Sequence, residues 1–204
     1  MTIRAVIWDM GGVLVRTEDH RSRDRLAERF GMTSSEIEEL VYGHEAGKRA
    51  QRGEVSYEAH WEYLGRELLL SPEQIKDFQR AFWGGDKVDT DLIRYIRSLR
   101  KSYKTALLSN AFLDLRRMVT EVWKIGDAFD ELVISAEVGV MKPDPQIYHI
   151  ALEKLGVAAQ EAVFIDDFER NVEAAKALNM HAIRFRNPLQ ARADLQALLQ
   201  ERPA

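Results

Sequence analysis

Carboxylates close two of the most apolar runs in the chain. Asp9 follows Ile3-Arg4-Ala5-Val6-Ile7-Trp8 and precedes Gly11 and Gly12, and the pair Asp166-Asp167 follows Ala162-Val163-Phe164-Ile165. Asp is depleted in strands, and ligands of open α/β sheets bind at the carboxyl ends of strands. Two further polar groups have similar settings. Ser109-Asn110 ends the run Tyr103–Leu108, and Lys142 stands before Pro143-Asp144-Pro145, where the prolines stiffen the backbone. Each has an ordinary reading as a turn residue, a helix cap or a solvated lysine. Together they fit one chemistry. Carboxylates without neighbouring His or Cys suit a hard divalent cation such as Mg²⁺, and two adjacent acids repel unless a cation lies near. A hydroxyl, backbone amides and a lysine suit the oxygens of a phosphate. A carboxylate left over can attack that phosphate as a nucleophile.

The elements that must gather these groups alternate between strand and helix. Buried strands are expected around Ile3–Trp8, Tyr103–Leu108, Glu131–Ile134, Ala162–Ile165 and His181–Phe185. Helices are expected over Asp89–Arg100, Leu115–Trp123, Asp144–Leu155, Asn171–Leu178 and from Pro188 onward. Such alternation predicts an α/β fold, a doubly wound, Rossmann-like parallel sheet of five core strands. Between Arg16 and Asp86 the grammar changes, with no strand-like run and four amphipathic helical stretches. One ends at Gly31, one runs from Thr33 through His44 toward Gly53, one is capped by Ser56, and one opens at Ser71-Pro72. The expected organisation is a core of residues 1–15 and 87–204 with an inserted helical cap of residues 16–86. Val15–Thr17 and Gly84–Val88 are the expected hinges.

Composition bounds the rest. The 204 residues carry 46% hydrophobic and 30% charged side chains, an ordinary globular balance. The net charge of −4, from 29 basic and 33 acidic residues interspersed, suggests neither a nucleic-acid face nor a polybasic membrane patch. Without cysteine, disulfides, thiol catalysis and thiolate-bound zinc are excluded. Met1 leads directly into the first strand and no apolar run could span a bilayer, so a soluble cytoplasmic protein is expected. Neither a dinucleotide glycine fingerprint nor a phosphate-binding Gly-Lys-Ser/Thr loop occurs, which disfavours oxidoreductases and nucleoside triphosphatases.

With these motifs in order, the chain resembles the haloacid dehalogenase-like hydrolase superfamily, in the subgroup with a helical cap after the first strand. Asp9 heads the first motif, Leu107-Leu108-Ser109-Asn110 matches the second, Lys142 the third, and Phe164-Ile165-Asp166-Asp167 with Asn171 the fourth. Arg52-Gly53-Glu54-Val55-Ser56 and Gly139-Val140-Met141-Lys142-Pro143 also look like the small sugar-phosphate phosphatases of that superfamily. The resemblance implies a Mg²⁺-dependent phosphatase acting on a small phosphorylated metabolite, as a monomer or homodimer, without nucleic-acid or membrane partners. It implies Asp9 as nucleophile and metal ligand, with the Gly11 carbonyl and Asp167 completing the metal's protein ligands and Asp166 and Asn171 supporting them. Ser109, Asn110, Lys142 and the Gly11-Gly12 turn would hold the phosphoryl group. One departure stands out. Such phosphatases usually carry a second acid two residues after the nucleophile, and here that residue is Gly11. His44 and Glu45 in the cap are candidates to replace it. Dehalogenation of a 2-haloacid and a catalytically idle binding or regulatory role are the alternatives. The first needs no metal, and the second would explain Gly11.

Overall fold

The computed structural model describes residues 2–200. The chain opens with β1 (Ala5–Trp8), β2 (Val15–Thr17), α1 (Arg21–Arg29) and α2 (Ser34–Glu38), then a π-helical turn over Glu39–Gly43. It continues through α3 (Glu45–Gln51), α4 (Tyr57–Glu67), α5 (Pro72–Trp83), β3 (Asp86–Val88), α6 (Thr90–Leu99) and β4 (Lys104–Ser109). After α7 (Leu115–Arg117), extended by a π-helical turn, come β5 (Glu131–Ile134), α8 (Ser135–Val138) and α9 (Pro145–Leu155). The last elements are β6 (Ala162–Asp166), α10 (Glu169–Ala177), β7 (His181–Arg184) and α11 (Pro188–Gln200).

Five strands form one parallel sheet in the order β5-β4-β1-β6-β7. Every residue of β1 and β6 is buried, as continuous apolar runs require when helices cover both faces. The period of two along β1 divides that burial. Val6 and Trp8 join Leu92, Ile96 and Leu195 on one face, while Ala5 and Ile7 join Ile147, Ala151 and Phe164 on the other. Helix signals in the sequence operate as expected. Asp144 caps α9 by accepting from the Gln146 amide at 2.8 Å, with Pro145 in the first turn and Gly156 left-handed at φ 61°. Asn179 ends α10 at φ 62°.

The inserted helices bury their own cluster around Leu26, Ile37, Trp61, Leu64, Phe78 and Phe82. The four expected stretches are present, but the second is broken. His44 is extended (φ −64°, ψ 157°) and starts α3, so it does not lie mid-helix. The sharp return brings Gly47 so close to Val41 that a Cβ there would sit 2.4 Å from its carbonyl oxygen. A second difference lies at the expected hinges. β2 and β3 pair antiparallel, Val15 opposite Val88 and Thr17 opposite Asp86, where no strand was legible. Side chains lock this ribbon: Thr17 donates to Asp86 at 2.6 Å, and buried Arg23 reaches Asp86 at 3.1 Å and the Phe82 carbonyl at 2.9 Å. No helix among the described residues is long and apolar enough to cross a membrane.

Candidate active site

Chain order along the sheet reverses direction between β1 and β6, because the chain first builds outward to β4 and β5 and then returns to the other side. Ligands of doubly wound sheets bind at such a switch point, beyond the carboxyl ends of the strands. Asp9 directly follows β1, Asp166 ends β6, and Asp167 follows it. Their carboxylates offer ligand atoms that all lie within 4.8 Å of one another. Lys142 enters from the loop before α9 and bridges two of them, donating to Asp9 Oδ1 at 2.6 Å and Asp166 Oδ2 at 2.7 Å. The lysine is itself buried, with its ammonium 5.4 Å from the centroid of the Phe164 ring.

The two adjacent acids differ in their partners. Asp166 is saturated: the Phe168 amide donates to Oδ1 at 2.8 Å, Asn171 to both oxygens at 3.0 and 3.1 Å, and Lys142 to Oδ2. Asp167 Oδ1 is buried with no hydrogen-bond partner. Its other oxygen lies under the Gly11-Gly12 turn, where a Cβ on Gly12 (φ +74°) would come within 2.2 Å of Oδ2. Glycine is required at 12 by both conformation and space. At Gly11 a Cβ would meet nothing within 4 Å.

Ser109 is buried at the end of β4, one strand away from Asp9. Asn110 clamps the backbone of Lys142 reciprocally, accepting from its amide at 2.7 Å and donating to its carbonyl at 2.9 Å. Ser135, at the start of α8, holds the next residue, accepting from the Ala111 amide at 2.9 Å and donating to its carbonyl at 3.2 Å. Sequence reasoning missed Ser135, whose only signal was a polar residue directly after an apolar strand. Thus Asp9, Gly12, Asp166, Asp167, Asn171 and Lys142 converge, Asn110 is tied to them through the Lys142 backbone, and Ser109 precedes it at the end of β4. The cap candidates are not drawn in the same way. His44 is exposed, and Glu45 pairs with Arg52 at 2.8 Å. Arg49 and Arg52 are both engaged by Glu54, as a solvated helix face would be.

Burial dominates the electrostatics. It pushes the Asp9 carboxyl up to about 7, with Asp166 and Asp167 adding to the rise and Lys142 opposing it. Burial, then Asp166, raises Asp167 to about 6. Burial also opposes the Lys142 ammonium, but the Asp9 and Asp166 carboxylates more than offset it and hold its pKa above the usual lysine value. Of three clustered carboxylates two pair with the one ammonium, and the third has a buried, orphaned oxygen. That donor set fits a hard divalent cation with oxygen ligands.

The sequence profile of the haloacid dehalogenase-like hydrolases matches residues 3–179. D-ribitol-5-phosphate phosphatase of Bacteroides thetaiotaomicron is 27% identical over 97% of this chain and 98% of its own length. Mouse acyl-CoA dehydrogenase family member 10 is 30% identical over 96% of this chain, which spans only 19% of that longer protein. Among solved structures, a HAD family enzyme of Bacteroides thetaiotaomicron in complex with magnesium and inorganic phosphate superposes with a TM-score of 0.76. It is 22% identical and is matched over 91% of this chain and 96% of its own.

Proposed function

The chain belongs to the haloacid dehalogenase-like hydrolase family, and we propose that it is a Mg²⁺-dependent phosphatase of a small phosphorylated metabolite. The observation that carries this reading is the orphaned Asp167 oxygen beside Asp9 and the Lys142 bridge. Asp9, Asp167 and the Gly11 carbonyl would hold the cation, which when bound supplies positive charge to offset the anionic substrate. Asp166, saturated by Asn171, the Phe168 amide and Lys142, has the partners of a support, and that supports its separation from Asp167.

In this mechanism one Asp9 oxygen is fixed by Lys142 and the other attacks phosphorus. The bond from phosphorus to the leaving oxygen breaks, its electron pair departs with the leaving group, and an aspartyl-phosphate remains. Water then cleaves that acyl phosphate and returns Asp9 and inorganic phosphate. Ser109 and Asn110 hold the transferring oxygens while Lys142 neutralises the charge they gain. The leaving oxygen takes its proton from water or from the substrate, since Gly11 has no side chain to supply one. The cap, residues 16–86 between core segments 1–15 and 87–204, closes over the site and shields the acyl phosphate from bulk water.

The likeness to D-ribitol-5-phosphate phosphatase favours a sugar or polyol phosphate as substrate. Metal-independent dehalogenation would leave the Asp167 orphan without a purpose. An idle binding module draws its support from Gly11 alone. The test is hydrolysis of an aryl phosphate and a panel of sugar and polyol phosphates, with Mg²⁺ or with EDTA. Turnover that requires Mg²⁺ and falls at least ~10⁴-fold in Asp9→Asn is expected. Metal-independent release of halide from 2-haloacids, or no turnover of any phosphate by folded protein, would overturn the assignment.

A further inference from the structure

Phe112 lies in the loop after β4, three residues beyond Ser109, yet its ring is packed into the cap. It is 4% exposed, and every other buried member of its cluster lies between Leu26 and Phe82. The ring stacks on Tyr42 with centroids 5.6 Å apart and planes at 17°. Tyr57 meets it edge-on at 6.0 Å, and the His60 ring lies 5.0 Å away. The other end of the same short segment belongs to the site. Asn110 holds both backbone groups of Lys142, and Ser135 holds both backbone groups of Ala111. Four consecutive residues therefore join the phosphate-binding serine to the interior of the cap, and the cap cannot lift without drawing out this ring or moving the segment.

We propose that Phe112 is a positioning residue through which seating of the cap sets Ser109 and Asn110 and, by way of the Asn110 clamp, the backbone of Lys142. Packed aromatic contacts of this kind switch between discrete arrangements and do not deform continuously. The carboxylates that fit the cation hang on β1 and β6, whereas Phe112 follows β4, so the coupling acts first on the phosphate side of the site and reaches the carboxylates only through the far end of the Lys142 side chain. The kinetic arm of the test rests on the phosphatase reading, and the exchange arm does not.

Phe112→Ala removes the ring from the loop, Tyr42→Leu removes its stacked partner from the cap, and Phe112→Tyr keeps an aromatic ring in place. With p-nitrophenyl phosphate and saturating Mg²⁺, each of the first two is expected to lower kcat by about 10–100-fold, with KM changing far less. The double variant should be no slower than the worse single variant, and Phe112→Tyr should restore kcat. Mg²⁺ affinity, read from the Mg²⁺ dependence of the melting temperature, should change less than kcat, because the backbone segments that carry Asp9 and Asp167 lie on β1 and β6 and are touched only through the Lys142 side chain. Hydrogen exchange at the amides of residues 109–113 should quicken about tenfold in Tyr42→Leu, a change made entirely within the cap. A folded Phe112→Ala protein with unchanged kcat, additive losses in the double variant, or unaltered exchange at 109–113 would each overturn the coupling. Should the wild type hydrolyse no phosphate ester, the phosphatase reading fails, and the exchange measurement alone decides the role of Phe112.

Discussion

Asp166 and Asp167 are neighbours in sequence with opposite surroundings, one saturated and one left with a buried, unpartnered oxygen. An ionised carboxylate in that state costs stability, since burial and the charge of Asp166 both oppose it. Asp167→Asn is therefore expected to raise the melting temperature of the metal-free protein at pH 7 while abolishing its stabilisation by Mg²⁺. A lower melting temperature in EDTA would contradict that account. Gly11 offers the converse experiment. A Cβ there meets nothing within 4 Å and the backbone is not left-handed, so neither obstructs the start of a side chain in Gly11→Asp. Supplying a proton donor should speed an alkyl phosphate by at least ~10-fold and leave an aryl phosphate nearly unchanged, because general acid catalysis gains most with a poor leaving group. Parallel kinetics on the two esters would show it. Both glycines and both acids were legible in the sequence because their types are unusual at strand ends. The division of labour between the acids was not legible from composition, since it depends on Asn171 and the Phe168 amide turning toward one of them.

Among the elements, α4 carries a buried histidine in the cap core. His60 is 1% exposed beside Trp61 and Phe112, and neither ring nitrogen has a hydrogen-bond partner among the described residues. Burial pushes its imidazole down to about 4, against a weaker opposing pull from the Val41 carbonyl. The folded state thus favours neutral His60, and its contribution is complete above the unfolded value near 6.5 and lost as pH falls toward 4. The loss is on the order of 3 kcal/mol. Tryptophan fluorescence followed from pH 7 to 4 should report the cap loosening over that window, and His60→Leu should remove this component. Elements with a strong hydrophobic signal, the continuous apolar runs of β1 and β6 and the periodic α6, were readable from the chain. The β2–β3 ribbon was not, because Val15-Arg16-Thr17 and Asp86-Lys87-Val88 have one apolar residue each and pair only through contacts distant in sequence. The break at His44 carried a fainter signal in Gly47, whose missing side chain leaves room for the Val41 and Tyr42 carbonyls. Phe112 gave no signal at all, since a loop phenylalanine does not announce which core will receive it.

For the whole molecule, a bound cation would tie β1 to β6 across the switch point and so stabilise the fold as well as the chemistry. At a Mg²⁺ concentration one hundred times its dissociation constant the gain is about 2.7 kcal/mol, or roughly 5–10 °C in melting temperature for a chain of this size. Thermal unfolding with Mg²⁺ and with EDTA measures it, and coincident curves would refute the site. The sheet order also sets a timetable for synthesis. The strand at the centre of the sheet is the first one made, yet its two neighbours begin only at Lys104 and Ala162. Asp9 leaves the ribosome 133 residues ahead of the lysine that neutralises it, a delay on the order of ten seconds. The cap helices, all encoded between Arg21 and Trp83, are complete in that interval and have mainly local contacts to make. A nascent chain therefore carries every cap helix before either strand that flanks β1, and the Asp9 carboxylate meets Lys142 and Asp166 only when the last third of the chain arrives.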